Sequence, residues 1–474
     1  LRRALALAAV LAATQARSGA LPPRYGGEIR VLLPEIPADL DPARASSPAE
    51  LVTARALHAT LLEVGPSGRL RPVLLAALPE AEPGGRAFRM RLRPGLRFHD
   101  GQPLLAADVA ASLARLLQPS VRSPHAWLAL AVQGAEAVRE GRAASLAGVQ
   151  VLSDLELRVA LDAPLDLPRA LAAAPAAIVS RSGAGAGPFR PGGRTGGTLR
   201  LPVFDGHASG RAYADSLALA GLDARRAARA FSRGEADLAL RPEAVPGAGF
   251  SELPALTASY ALVNPRRTGS STAALRRHLA ELDRAELTRL FVRGPAVPLL
   301  GPLPPAILAP AAQAPGRPAG ASGGAPRHRL SLLVSSGAES HRAVADRIQV
   351  KLFDRGVSVV VQALEPGAFA ARLAAGDWDL ALVAVTFVAP SPSLAVLQLA
   401  QALGGIPLVR RALARLDSAD PAAVAAEVAE AAQAVPLFAS GLRASIRPGL
   451  EGFAARPDGT LDPGALWRRE GPSR

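Results

Sequence analysis

The chain has 474 residues, of which 49% are hydrophobic and 20% charged, so it is a folded chain with room for more than one domain and not a disordered one. Its formal net charge of +14 comes from arginines scattered one or two at a time; Lys351 is the sole lysine, and with only 4% aromatic residues there is no basic, base-stacking surface, so nucleic acid is not expected as a partner. Cysteine is absent, which excludes disulfides, thiol catalysis, cysteine-ligated zinc and a lipid-modified cysteine anchor.

Residues 1–20, "LRRALALAAVLAATQARSGA", place Arg2 and Arg3 before an apolar stretch from Ala4 to Ala13 and end on small residues. This predicts an export signal cleaved after Ala20, with Ser18 and Ala20 at the −3 and −1 positions and Thr14 and Ala16 as a second choice. Ile29, Val31 and Leu33 alternate as in a strand that Pro34 and Pro37 end. Residues 49–64 predict a helix, with Leu51, Ala54, His58, Leu61 and Leu62 near one face. Phe88, Met90 and Leu92 alternate with Arg89, Arg91 and Arg93, a half-exposed strand. Residues 149–159 predict a hairpin turning at Ser153–Asp154, and residues 199–206 and 236–242 predict further strands, the second preceded by a helix and a turn at Gly234. Residues 308–327 are almost entirely Pro, Gly, Ala and Ser, a linker or long loop. Beyond it strands and helices alternate to about residue 387, which predicts a parallel α/β layer.

The segment "FHDGQPLLAADVAASLARLL" (98–117) holds the pattern closest to chemistry, His99 beside Asp100. Two ligands are too few for a metal, and the other six histidines stand singly. Asp100–Gly101 reads instead as a turn before an amphipathic helix, with Val109, Leu113, Leu116 and Leu117 on one face. "GASGG" (320–324) lacks the strand and helix that frame a nucleophilic serine. "GAGAGPF" (183–189) lacks the frame of a phosphate loop. Asp377 and Asp379 read as a turn and a strand entry. No catalytic constellation, cofactor or metal site is expected; the residues alone describe an exported, two-lobed α/β binder and not an enzyme.

The ordered set of short motifs resembles the bacterial extracellular solute-binding proteins of family 5, the peptide- and nickel-binding components of ABC importers. The resemblance is carried by "FRMRLRPGLRFHDGQPLLAADVAASLARL", "GAGPFR", "FDGHASGRAYAD", "FSRGEADLAL", "YALVNPR", "GPLPP" and "PGLEGFAARPDGTLDPGALWR", from Tyr25 to Trp467. It implies an α/β, two-lobed periplasmic binding protein of type II with an extra α+β domain in the first lobe. Lobe I would take 25–45, 181–258 and 443–474, the extra domain 46–180, and lobe II 259–442. It also implies a monomer in the periplasm that holds a peptide or other small solute between its lobes and passes it to the permease subunits of an ABC transporter. The lining residues expected by position are Glu35 and Asp39 after the first strand, Tyr260 and Asn264 at a crossover, and Phe387, Ser391 and Ser393 in a lobe II loop.

Three departures accompany the resemblance. Family members that clamp a peptide's amino terminus use an aspartate in the loop that here reads "FVAPSPSLAV" (387–396), which has no acid, so a free amino terminus would lack its counter-charge. The Pro/Gly-rich stretch stands where the family has a helix, and Leu105 replaces the family's threonine at a helix start. The first two also suggest an alternative, a paralogue that keeps the fold and acts as an envelope interaction partner without solute.

Overall fold

The computed structural model describes residues 22–309 and 329–469. The predicted export signal, nearly all of the Pro/Gly-rich stretch and the "GASGG" segment lie outside the described residues. Two large sheets organise the chain. The first has seven strands in the order Gly249–Glu252, Arg443–Ile446, Leu238–Arg241, Glu28–Leu33, Ser216–Gly221, Thr198–Pro202 and Arg194–Thr195. Its central strand Glu28–Leu33 pairs in parallel with both neighbours. The strand reads as a continuous apolar run at its end because both faces are covered. Val31 and Leu33 face Val52 and Ala56 of the helix Pro48–Leu57, while Leu32 faces Ala227 and Phe231 of the helix Ala224–Ser232.

The second sheet has six strands in the order Ala296–Pro298, Ala434–Ser440, Thr257–Val263, Leu380–Thr386, Leu330–Ser335 and Val359–Leu364. Parallel pairing is confined to the last three; Thr257–Val263 runs antiparallel to both of its neighbours. The expected parallel layer is therefore half of a mixed sheet, because the central strand comes from the crossover and not from the alternating region. One face packs on the helices Thr272–Ala280 and Glu339–Phe353 through Leu275, Val344 and Ile348. The other packs on Pro392–Leu416 and Pro421–Ala431 through Leu397, Val424 and Val428.

A smaller unit has a four-stranded antiparallel sheet, Glu80–Ala81, Ala87–Arg91, Glu156–Ala160 and Val149–Val151 in that order. Phe88 and Met90 are buried and Arg89 and Arg91 exposed, as their alternation requires. The helix Ala106–Arg115 seats Val109 and Leu113 in the same core, and the Asp108 carboxylate accepts from the Leu105 amide at its start (2.8 Å). The helix expected over 49–64 ends at Leu57 instead. His58 is extended, and Leu62–Val64 forms a strand against Leu70–Pro72. Leu51, Leu61 and Leu62 all enter one core, so the apolar spacing ran on through a change of backbone. That core also joins this unit to the second lobe: Trp127, Ala172 and Ala173 share it with Val388, Ala389 and Val409. The helix Pro392–Leu416 follows the seam by kinking at Gly405, which takes φ +67°.

Candidate functional site

The chain passes between the two large sheets twice, at 252–257 and at 440–443, and the passes are tied together by the Leu253 amide donating to the Leu442 carbonyl (2.9 Å). Beside them lies a cavity of about 260 Å³. One wall comes from the first lobe: Pro34 and Glu35 after the central strand, Ser47 and Leu51 at the start of a helix, Pro242, and Leu253 with Leu442. Ser47 caps that helix, accepting from the Glu50 amide (3.3 Å) while the Glu50 carboxylate accepts from the Ser47 amide (2.8 Å). The helix start is thus held rigid by its own side chains.

The facing wall is the end of the second sheet, where three strands run past the helices that cover the rest of that face. Their register sets Thr386, Thr257 and Ser440 in one row and Ala384, Ser259 and Phe438 in the next. Thr257 Oγ1 lies 3.1 Å from Thr386 Oγ1, and the Ser440 hydroxyl donates to the Thr257 carbonyl (3.4 Å). Ser259 Oγ lies 2.9 Å from His341 Nε2. Burial pushes the His341 imidazole down to about 4, so it is neutral at pH 7. Asp458 sits at the inner edge and is fully buried. Burial opposes its ionisation, yet the Arg55 guanidinium at 2.7 Å and the Thr460 hydroxyl at 2.6 Å hold its carboxyl below the usual range. At the rim, Glu35 is exposed, and Arg293 lies 3.6 Å from Glu243.

Of the seven residues expected to line the site, Glu35 does. Asp39 is exposed and paired with Arg44 at 2.6 Å. Tyr260 points to the opposite face of its strand from Ser259, where its hydroxyl donates to the Pro302 carbonyl (2.6 Å). Asn264 caps a helical turn, its amide nitrogen donating to the Gly376 and Trp378 carbonyls (3.0 and 2.8 Å). Phe387 is fully buried, Ser391 caps the helix Pro392–Leu416, and Ser393 is the second residue of that helix with its hydroxyl 3.4 Å from that of Ser391. None of these three lines the cavity, and their loop is anchored by Val388 and Ala389, which share a core with Val64, Ala172 and Ala173. The hydroxyl row had a sequence signal, alternate polar positions at the ends of apolar strands, but register was needed to bring three strands' ends together.

The remaining described candidates make contacts within the fold. Gly101 takes φ +84° in the turn after His99, and His99 Nε2 lies 3.0 Å from the Gly187 carbonyl oxygen. Asp100 accepts from the Gln102 amide and the Ser182 hydroxyl. Gly187 packs so closely on the chain that a Cβ would sit 2.5 Å from the His58 nitrogen. Asp379 accepts from the Ser331 amide (2.8 Å) and pairs with Arg267 (2.9 Å). Among the described residues, no group of three or more His, Cys, Asp or Glu could hold a metal ion.

Two sheets on separate lobes, two crossovers and a cavity between them define a two-lobed periplasmic binding protein with an extra α+β domain in its first lobe. The chain belongs to the bacterial extracellular solute-binding proteins, family 5, whose middle region it matches over residues 69–403. It is 31% identical over 132 residues to the periplasmic murein peptide-binding protein MppA of Escherichia coli K12, and 32% identical over 132 residues to the probable deoxycholate-binding periplasmic protein YgiS of the same organism. Each alignment covers 27% of this chain and spans 24% of the relative's length. The fold is similar throughout to the solved E. coli MppA (TM-score 0.75, 19% identity, 93% of this chain and 98% of that one). It is similar too to Haemophilus influenzae OppA in complex with RPPGFSPFR (TM-score 0.79, 15% identity, 95% and 100%).

Proposed function

We propose that this protein is the exported binding component of an ABC importer, which captures a small peptide-like solute between its lobes and delivers it to permease subunits at the inner membrane. The observation that carries the reading is the cavity bounded by both interlobe crossings, since closing or opening the lobes must change its walls. Membership of a solute-binding family and the E. coli relatives' periplasmic names support it. In this reading the protein acts as a monomer, catalyses nothing, and is directed to the periplasm by residues 1–20. Lobe I comprises 25–45, 181–258 and 443–474, the extra domain 46–180, and lobe II 259–442. Glu35 stands at the ligand, while Asp39, Tyr260, Asn264, Phe387, Ser391 and Ser393 hold the walls in place.

Native mass spectrometry of the purified protein, followed by thermal-shift screening of a metabolite and di- to tetrapeptide library, tests this. A bound small molecule, or a library member that raises Tm with saturable concentration dependence, is expected. No co-purified ligand and no shift across the library would overturn it in favour of a partner-binding role.

A further inference from the structure

The chemical class of the solute can be read from the charges in the cavity, an inference that rests on the solute-capture reading above. Among the described residues, the charged side chains lining the cavity are Glu35, Arg293 and Asp458. Asp458 is already committed: its carboxylate meets Arg55 and Thr460 inside the protein, and both members of the ion pair are almost fully buried. Glu35 and Arg293 stand at the rim, the first exposed and the second beside Glu243. The interior is apolar, with Leu51, Leu253, Leu442 and Phe438, and its polar groups are neutral, the Thr386–Thr257–Ser440 row and the Ser259–His341 pair with Ser47 and Ser340 beside them. A ligand charge carried past the rim into this space would lose its hydration and find no uncommitted opposite charge inside, since the exposed Glu35 carboxylate stays in water at the rim. An amide or hydroxyl would find neutral hydroxyls that both donate and accept.

We propose that the cleft selects a small, uncharged, amide- or hydroxyl-bearing solute with an apolar body, such as an end-blocked or cyclised dipeptide, and rejects the zwitterion of the same composition. The cavity of about 260 Å³ lies below the lower end, roughly 300 Å³, of sites that enclose drug-sized ligands, which suits one to two residues. The apolar side chain would lie on Phe438 and Leu253. The amides would face the hydroxyl row, where Thr257 is the central member.

The test compares cyclo(Ala-Leu) with linear Ala-Leu by isothermal titration calorimetry on the full chain at pH 7. The cyclic compound should bind, and the zwitterion should bind at least about a hundredfold more weakly. Thr257→Val keeps the branched shape and removes the hydroxyl; it should weaken cyclo(Ala-Leu) about tenfold with the unfolding midpoint little changed. If Ala-Leu binds as well as or better than the cyclic compound, and Glu35→Gln abolishes that binding, rim charges read the termini and the class assignment falls while solute capture stands. If Thr257→Val leaves the affinity for the cyclic compound unchanged, the hydroxyl row is not the recognition element and the assignment falls. If neither compound binds at 10 mM and the library screen is also silent, solute capture falls with it.

Discussion

Lowering the pH from 7 to 5 should destabilise this protein strongly, because it folds three histidines into sites where the charged form is costly. His58, His125 and His341 are buried, and burial pushes each imidazole down to about 4. His58 Nε2 meets the Leu40 carbonyl (3.0 Å), His125 Nε2 the Ala45 carbonyl (2.8 Å) and His341 Nε2 Ser259 Oγ (2.9 Å), while each Nδ1 is buried with no hydrogen-bond partner among the described residues. In the unfolded chain the same groups titrate near 6.5. Between about pH 6.5 and 4 the unfolded state therefore binds more protons than the native one, and stability falls as the pH falls through that window. Taking 6.5 and 4 for the two states, each histidine costs about 2 kcal/mol at pH 5 relative to pH 7, on the order of 5 kcal/mol for the three together. That is comparable to the whole stability of many domains. Asp41, Asp379 and Asp458 are held below the usual carboxylate range, so their loss begins at lower pH and does not account for this window. Urea unfolding at pH 7, 6 and 5 measures the effect; His99, His207 and His278, which burial also pushes down, add to it in the same direction, and His125→Gln should visibly reduce the pH dependence. An unfolding free energy that is the same at pH 7 and 5 would refute the reasoning.

Three further outcomes are expected. Asp458→Asn should cost about 3–5 kcal/mol, read from the urea midpoint, because it leaves the buried Arg55 guanidinium without its counter-charge. Gly187→Ala should cost on the order of 1–3 kcal/mol or prevent folding, since its Cβ would meet backbone atoms of Leu57 and His58 at 2.5 Å; soluble protein of unchanged Tm would contradict that packing. His99→Ala should lose about 1 kcal/mol of stability through its contact with the Gly187 carbonyl and leave the Kd for any solute within twofold; lost binding with an intact fold would restore the catalytic or ligand-binding reading of His99.

By itself, the sequence determined the local elements wherever apolar spacing and punctuation agreed. The strand through Ile29, Val31 and Leu33, the half-exposed strand of Phe88 and Met90, and the turn at Asp100–Gly101 all follow from side-chain period and turn chemistry. It also carried enough ordered motifs to resemble one family and hence one two-lobed fold. What it could not determine was which way a residue faces once strands from distant segments pair. Tyr260 and Ser259 are neighbours in the chain, yet one is spent on the Pro302 carbonyl in a core and the other opens into the cleft. Phe387, Ser391 and Ser393 look available in a proline-rich loop, but Phe387 and its neighbours Val388 and Ala389 are buried in one core with Ala172 and Ala173. The helix read through His58 stops at Leu57, and Leu61 and Leu62 reach the same core at the start of the strand Leu62–Val64. The recognition surface is a row of three hydroxyls from positions 257, 386 and 440, a row that exists only because antiparallel register sets them side by side. Period is a property of neighbours along the chain, whereas register, seam and cleft are properties of segments more than a hundred residues apart, and only the tertiary structure brings those together.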